Sequence, residues 1–408
     1  MSDKRVQTQE LKEIDHATDT RDTLAHARAY AEKNGLNDTL IVDVDAHVTE
    51  TAFWSEVVDR IPSPVYQQIA NSFKDRGGSP PGLLNSAPGI AYQGVAGRIL
   101  HQESQKEVVQ DDGVHRQVVL ARRAMESMGI DYMMMFPTPM LSLGVHPQAE
   151  VEVELAWAFN RWVSERVLSQ DDRLKGLLYL PFNTPDACPK IVEEFADSPG
   201  IIGASVTSVR NQPVHHNAYM KTYAMLEEMG LPLTFHAGFN WSDGSMAQLN
   251  KFLSMHALSF VHCNLIHMTN WVINGLPERF PKLDVCWVES GLAWIPYLMQ
   301  RLDSEYLKRS SEAPLLKRRP SEYIKEMYFS SQPLETDHLK LTEATFEAID
   351  AENQLMWCSD WPHWDFDGPS AIYELPFLNE RAKKKILGEN AARVFNLPNP
   401  YMVKQAAE

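Results

Sequence analysis

The sequence predicts an α/β fold: a (β/α)8 TIM barrel with an N-terminal helical arm and a long insertion between its first two strands. Three observations predict it. Short, near-continuous apolar runs recur eight times, as strands buried on both faces of a parallel sheet do. Segments with apolar residues at helical spacing lie between most of them. No glycine-rich phosphate loop follows the first run, which weakens a doubly wound open sheet as the alternative.

In chain order, residues 1–38 form the arm. Residues 1–20 carry little apolar pattern. Thr20 to Lys33 reads as a helix capped by Thr20 or Asp22, with Leu24, Ala27 and Tyr30 at helical spacing and Gly35 suited to end it. This arm is expected to pack on the body or on a second subunit. The first strand is Thr39 to Asp45; the others are 131–136, 176–180, 201–206, 232–235, 283–288, 327–330 and 354–358. Helical patterns run from Val151 to Leu168, Pro213 to Met229, Leu265 to Leu276 and Trp294 to Tyr306. The barrel is expected over 39–398, with a tail at 399–408. Residues about 50–122 interrupt the rhythm with Pro62, Pro64, Gly77-Gly78 and Pro80-Pro81. An insertion at the C-terminal end of a barrel strand sits beside the active site, so it is expected to cap the pocket and to offer an oligomer contact.

Composition bounds the function. The 408 residues carry 38 Lys+Arg against 54 Asp+Glu, a net charge of −16. That balance argues against nucleic acid and against an anionic membrane surface, both of which need a basic face. At 44% hydrophobic and 23% charged residues the chain is ordinary globular protein, not disordered. No apolar stretch approaches the roughly 18 residues of a membrane span, and the polar N-terminus does not read as a secretory signal. Cys188, Cys263, Cys286 and Cys358 form no CxxC, which fits reduced thiols in a cytoplasmic protein.

The chemistry lies after the strands. The first leads into Asp43-Val-Asp45-Ala-His47, where alternate residues point the same way, so Asp45 and His47 can aim at one metal ion. His236 closes the fifth strand. Glu289 ends the sixth and, near the barrel axis, must be paired, protonated or metal-bound; Arg301 is the obvious structural partner. Asp360 closes the eighth, with His363 and Asp365 following. In a barrel these strand ends converge on one mouth. A mixed oxygen and nitrogen set of Asp45, His47, His236 and Asp360 suits Zn, Mn or Fe as a divalent metal. Trp241, Trp294, Trp357, Trp361 and Trp364 are expected to divide between pocket lining and core. Met133 to Met135 read as strand core, and His215-His216 as lying away from the ligands. Arg210 reads as a structural ion pair rather than a partner for a substrate carboxylate.

With those residues in place, the chain resembles the amidohydrolase superfamily, in its amidohydrolase-related, aminocarboxymuconate-semialdehyde-decarboxylase-like branch. Asp45-Ala-His47 stands where the branch has H-x-H or E-x-H. His236 matches its strand-five metal histidine, and Asp360 its strand-eight metal aspartate. Gly275 to Leu283 resembles its G-x-x-x-R-F-P-x-L run, and Leu387 to Leu397 its closing G-x-N-A-x-R-x-F-x-L. The resemblance covers roughly residues 39–398. Where decarboxylases of the branch place a catalytic histidine in H-x-G, this chain has Glu289-Ser-Gly291. The resemblance therefore implies either Glu289 as proton-transfer group beside one metal, or Glu289 as ligand or bridge to a second. His262, His267 and His363 are the histidines available for a second metal, and His267 also matches a histidine near the pocket of related decarboxylases, a catalytic candidate.

The implied function is a metal-dependent hydrolase or non-oxidative decarboxylase acting on a small carboxylated or aromatic molecule. The alternatives are a dimetal (Fe/Mn or Fe/Fe), O2-dependent monooxygenase on the same fold, served by a ferredoxin-type electron donor, and a non-catalytic partner subunit of such an enzyme. A homo- or hetero-oligomer is expected.

Overall fold

The computed structural model describes residues 20–72, 113–363 and 365–401. Eight parallel strands form one sheet in sequence order: β1 (Val42–Val48), β2 (Tyr132–Pro137), β3 (Leu174–Tyr179), β4 (Ile201–Thr207), β5 (Leu233–His236), β6 (Val285–Val288), β7 (Tyr328–Ser330) and β8 (Leu355–Met356). Three backbone bonds close the ring between β1 and the segment that follows β8. Val44 N donates to Trp357 O at 3.3 Å, Asp360 N to Asp45 O at 2.7 Å and His47 N to Trp361 O at 2.6 Å. This is the predicted (β/α)8 barrel.

Helices cover the outside. The arm helix α1 (Thr20–Asn34) packs on α2 (Arg116–Met128), burying Leu24, Ala27 and Ala31, so it belongs to the body of its own chain. Further helices, beside several shorter ones, are α3 (Ala149–Arg166), α4 (Cys188–Phe195), α5 (Met220–Met229), α6 (Phe252–Ile273), α7 (Trp294–Arg309) and α8 (Leu339–Ala348). Helix α6 starts well before the expected Leu265, so it carries His262 as well as His267. His115 ends the insertion earlier than the expected 122, because its Nδ1 accepts from Gln117 N at 3.2 Å and so caps α2. Residues 73–112, where most of the expected cap falls, lie outside the described residues; so do residues 1–19, Trp364 and the end of the tail. No described helix is long and apolar enough to cross a membrane.

Strand β1 starts and ends three residues later than the sequence pattern indicates. Its ladder to β2 shifts register between Asp43 and Ala46. Below the shift, Val42 and Val44 join Met134, Phe136, Leu177, Cys286 and Met356 in an apolar cluster closed by Ala391, Val394 and Phe395. Above it, Asp45 and His47 face the mouth. A β-bulge is a common way to re-aim a side chain next to a site. Met133 to Met135 are core, as expected.

The C-terminal segment seals the bottom of the barrel through a close approach at Gly388. A Cβ there would lie well inside van der Waals contact of Leu40 O. Gly388→Ala is expected to destabilise the fold by about 1–3 kcal/mol, as overpacking does, read as a lower denaturation midpoint. An unchanged midpoint would show that this contact yields freely.

Candidate metal centre

Strand β1 brings Asp45 and His47 to the mouth, β5 brings His236, and the turns after β6 and β8 bring Glu289, Asp360 and His363. His236 Nε2 lies 3.2 Å from Asp45 Oδ1 and 3.4 Å from Glu289 Oε2. His47 Nε2 lies 3.4 Å from Asp45 Oδ1 and 3.2 Å from Asp360 Oδ1. His363 Nδ1 lies 2.7 Å from Asp360 Oδ1 and its ring stacks on that of His47. Two groups have ligand-type atoms close enough for one ion, Asp45/His47/His236/Glu289 and His47/Asp360/His363, and they share His47.

Strand alternation alone does not place Glu289 here. Cys286 belongs to the interior cluster and Trp287 to the outer one, so strict alternation would turn residue 289 outward. Its backbone is left-handed instead, with φ 57°, and Asp360 has φ 65°. Left-handed backbone is uncommon for residues other than glycine and tends to gather at functional sites.

Both ligand-type imidazoles are oriented alike. His47 Nδ1 sits 3.1 Å from Pro137 O, and His236 Nδ1 2.7 Å from Ala237 O. A carbonyl oxygen only accepts, so each Nδ1 carries a proton and each Nε2 is the atom turned toward the carboxylates. That is the arrangement of a metal-binding histidine.

The electrostatics call for a cation. Burial opposes a charge on His47, but Asp360 and Asp45 outweigh it and push its pKa up to about 10. Burial raises Asp45, yet His236 and His47 hold it below the usual carboxylate range. Asp360 is pushed up to about 6, chiefly by burial against the pull of His47. Glu289 is raised well above its ordinary value by burial and then by Asp360 and Asp45. Among the described residues none gives a well-aligned hydrogen bond to Asp45 Oδ2, His47 Nε2 or Asp360 Oδ1, although all three atoms are buried. Orphaned atoms of both ligand types around one point fit a divalent ion of the Zn, Mn or Fe group.

The other candidates lie elsewhere. His262 pairs with Asp243 at 3.6 Å, and His267 Nε2 donates to Ser208 O at 3.0 Å, with its pKa pushed down to about 4 by burial and Arg210. The two line a cavity of about 360 Å3 bounded by α6 and the loops after β4 and β5; no residue of the cluster lines it. The structure therefore does not bring His262 or His267 to the cluster, because α6 packs outside the strand ends. Arg301 pairs with Glu305 rather than with Glu289. Arg210 pairs with Glu152 at 3.4 Å, both side chains fully buried, as a structural ion pair. Trp294, Trp357 and Trp361 are buried in the core cluster, and Trp241 is half-buried. Two buried carboxylates near the centre carried no sequence signal for their role. Asp43 accepts from the backbone N–H of Asp45 and Ser359, and Glu50 from those of Thr138 and Met140.

Residues 120–397 match the family profile for amidohydrolases. The chain belongs to the amidohydrolase family. This amidohydrolase is 22% identical over 261 residues to a gamma-resorcylate decarboxylase from a Rhizobium species, covering 62% of this chain and 79% of that one. Among solved structures, the 5-carboxyvanillate decarboxylase from Sphingomonas paucimobilis superposes with a TM-score of 0.62 at 21% identity, covering 88% of this chain and 100% of that one. A dihydroxybenzoic acid decarboxylase from a Polaromonas species, solved with bound manganese and the inhibitor 2-nitroresorcinol, superposes with a TM-score of 0.61 at 18% identity, covering 89% and 99%. The amidohydrolase profile begins after Asp45 and His47, so the β1 part of the cluster stands on its geometry.

Proposed function

We propose that this amidohydrolase is a metal-dependent, non-oxidative decarboxylase of a small aromatic carboxylate. The observation that carries the reading is the buried cluster at the barrel mouth, where Asp45, His47, His236 and Asp360 converge with Glu289 beside them. The relatives' names supply the reaction class and favour decarboxylation over hydrolysis. Asp45, His47, His236 and Asp360 would hold the cation. When bound, it supplies a Lewis acid that fixes a substrate oxygen and draws off electron density. Glu289, in the place of the branch's catalytic histidine, donates a proton to the ring carbon that bears the carboxylate. The bond to that carboxylate then breaks, its electron pair restores the aromatic ring, and CO2 leaves. Solvent returns the proton to Glu289.

One observation favours a second reading. The group His47/Asp360/His363 offers a second ion a place beside the first. With Glu289 as the bridge, the same fold would carry a two-metal, O2-dependent hydroxylase needing a ferredoxin-type electron donor. Elemental analysis, with CO2 release and O2 uptake measured on a panel of hydroxybenzoates, decides between them. One Mn or Zn per chain with CO2 release is the expected result. Two metals including iron, with O2 uptake, overturns it. A metal-free protein with neither activity would revive the partner-subunit alternative.

A further inference from the structure

Glu289 and Asp360 share more than a left-handed backbone. Each is gripped on both sides by one buried polar side chain from a different element. For Asp360 the grip is Asp43, on β1. Its carboxylate accepts from Ser359 N at 2.9 Å, from the Ser359 hydroxyl, and from Asp45 N at 3.2 Å. Ser359 Oγ in turn accepts from Trp361 N at 2.9 Å. Ser359 is thus tied to the Asp43 carboxylate directly, and Trp361 through the Ser359 hydroxyl. For Glu289 the grip is Asn264, on α6. Its Nδ2 donates to Val288 O at 3.2 Å and to Ser290 Oγ at 3.0 Å, while its Oδ1 accepts from Ser208 Oγ at 2.6 Å. Val288 O only accepts, so the amide can face it in one orientation alone. Asp43 and Asn264 are both fully buried, and neither belongs to the ligand-type groups.

We propose that Asp43 and Asn264 are positioning residues that hold the left-handed turns at Asp360 and Glu289 and so aim both carboxylates into the cluster. A left-handed conformation outside glycine persists only where its surroundings over-determine it. Asn264 reaches both neighbours of Glu289 directly, and Asp43 reaches Ser359 directly and Trp361 through the Ser359 hydroxyl. Groups that orient ligands in this way typically contribute a factor of about 10–100 in metal affinity. The affinity arm rests on the metal reading above; the backbone arm does not.

The test uses two isosteric variants: Asn264→Asp sets a carboxylate oxygen against Val288 O, and Asp43→Asn removes the charge that Ser359 and Asp45 N bond to and the acceptor of the Ser359 hydroxyl. Asn160→Asp is the control. Asn160 is equally buried and grips Tyr179 through its backbone N–H and C=O, on β3, which contributes nothing to the cluster. Mn2+ is titrated into each metal-free protein after circular dichroism shows it folded, and each variant is crystallised. The expected result is Mn2+ binding weakened about 10- to 100-fold in D43N and N264D but not in N160D. In the crystals, φ at residue 360 or 289 should leave the left-handed region. Equal weakening in N160D, or an unmoved φ in D43N and N264D, overturns the proposal. A wild-type protein that takes up no Mn2+ counts against the metal reading instead, and the crystal φ values then decide the positioning roles. If D43N does not fold, Ser359→Ala reads the same grip by removing only the hydroxyl.

Discussion

Stripping the divalent cation with a chelator is expected to abolish decarboxylation, and stoichiometric Mn2+ is expected to restore it. The reason is local charge. Asp45 and Asp360 are buried carboxylates whose ion-pair partners among the described residues are imidazoles alone. Burying such groups without a compensating cation is costly, and a proton on His47 compensates only part of it. The ion therefore supports the fold at the mouth as well as the chemistry. A ligand that binds only the native state stabilises it by mass action, so the midpoint of thermal unfolding should fall on chelation along with the activity. Full activity in protein shown by elemental analysis to be metal-free would sink the metal-dependent reading.

Replacing Glu289 by glutamine is the second large effect. Glutamine keeps the size and hydrogen-bonding reach of the side chain but cannot deliver a proton. Loss of a general acid typically costs about 10²–10⁴-fold in turnover. The expected result is a fall of that order in kcat with the metal content unchanged. Metal content separates the two functional readings. If E289Q loses one of two ions, Glu289 is a bridge and the oxygenase chemistry moves forward. If turnover falls tenfold or less with the metal retained, another group supplies the proton.

The barrel was legible because each strand is buried on both faces and therefore reads as an unbroken apolar run, with helical spacing between runs. Each of the eight strands overlaps the run that predicts it. The boundaries of β1 were not legible, since the register shift between Asp43 and Ala46 depends on its pairing with β2 and not on local pattern. Asp45, His47, His236, Glu289 and Asp360 could be singled out because each is a polar group at the end of an apolar run. Their convergence is a property of the closed ring. His262 and His267 misled because a histidine looks like a ligand wherever it occurs, while its orientation is fixed by the helix that carries it. The same stretch hides Asn264, whose proposed role depends on a carbonyl 24 residues and a hydroxyl 26 residues further along the chain. Asp43 is similar: its partner Ser359 stands 316 residues away, beyond the reach of any spacing rule.

The way the ring closes has a mechanical consequence. The joint between the first and last staves is made largely by the ligand-bearing residues, since Asp360 N bonds to Asp45 O and His47 N to Trp361 O, and β8 itself is only two residues long. A cation held by Asp45, His47 and Asp360 would act as a rivet through the weakest joint of the cylinder. Letting the ion go and letting the barrel spring open would then be two descriptions of one event. Amide exchange at Val44, His47 and Asp360 should consequently keep pace with metal release, while the opposite wall of the cylinder, at β4 and β5, stays shut.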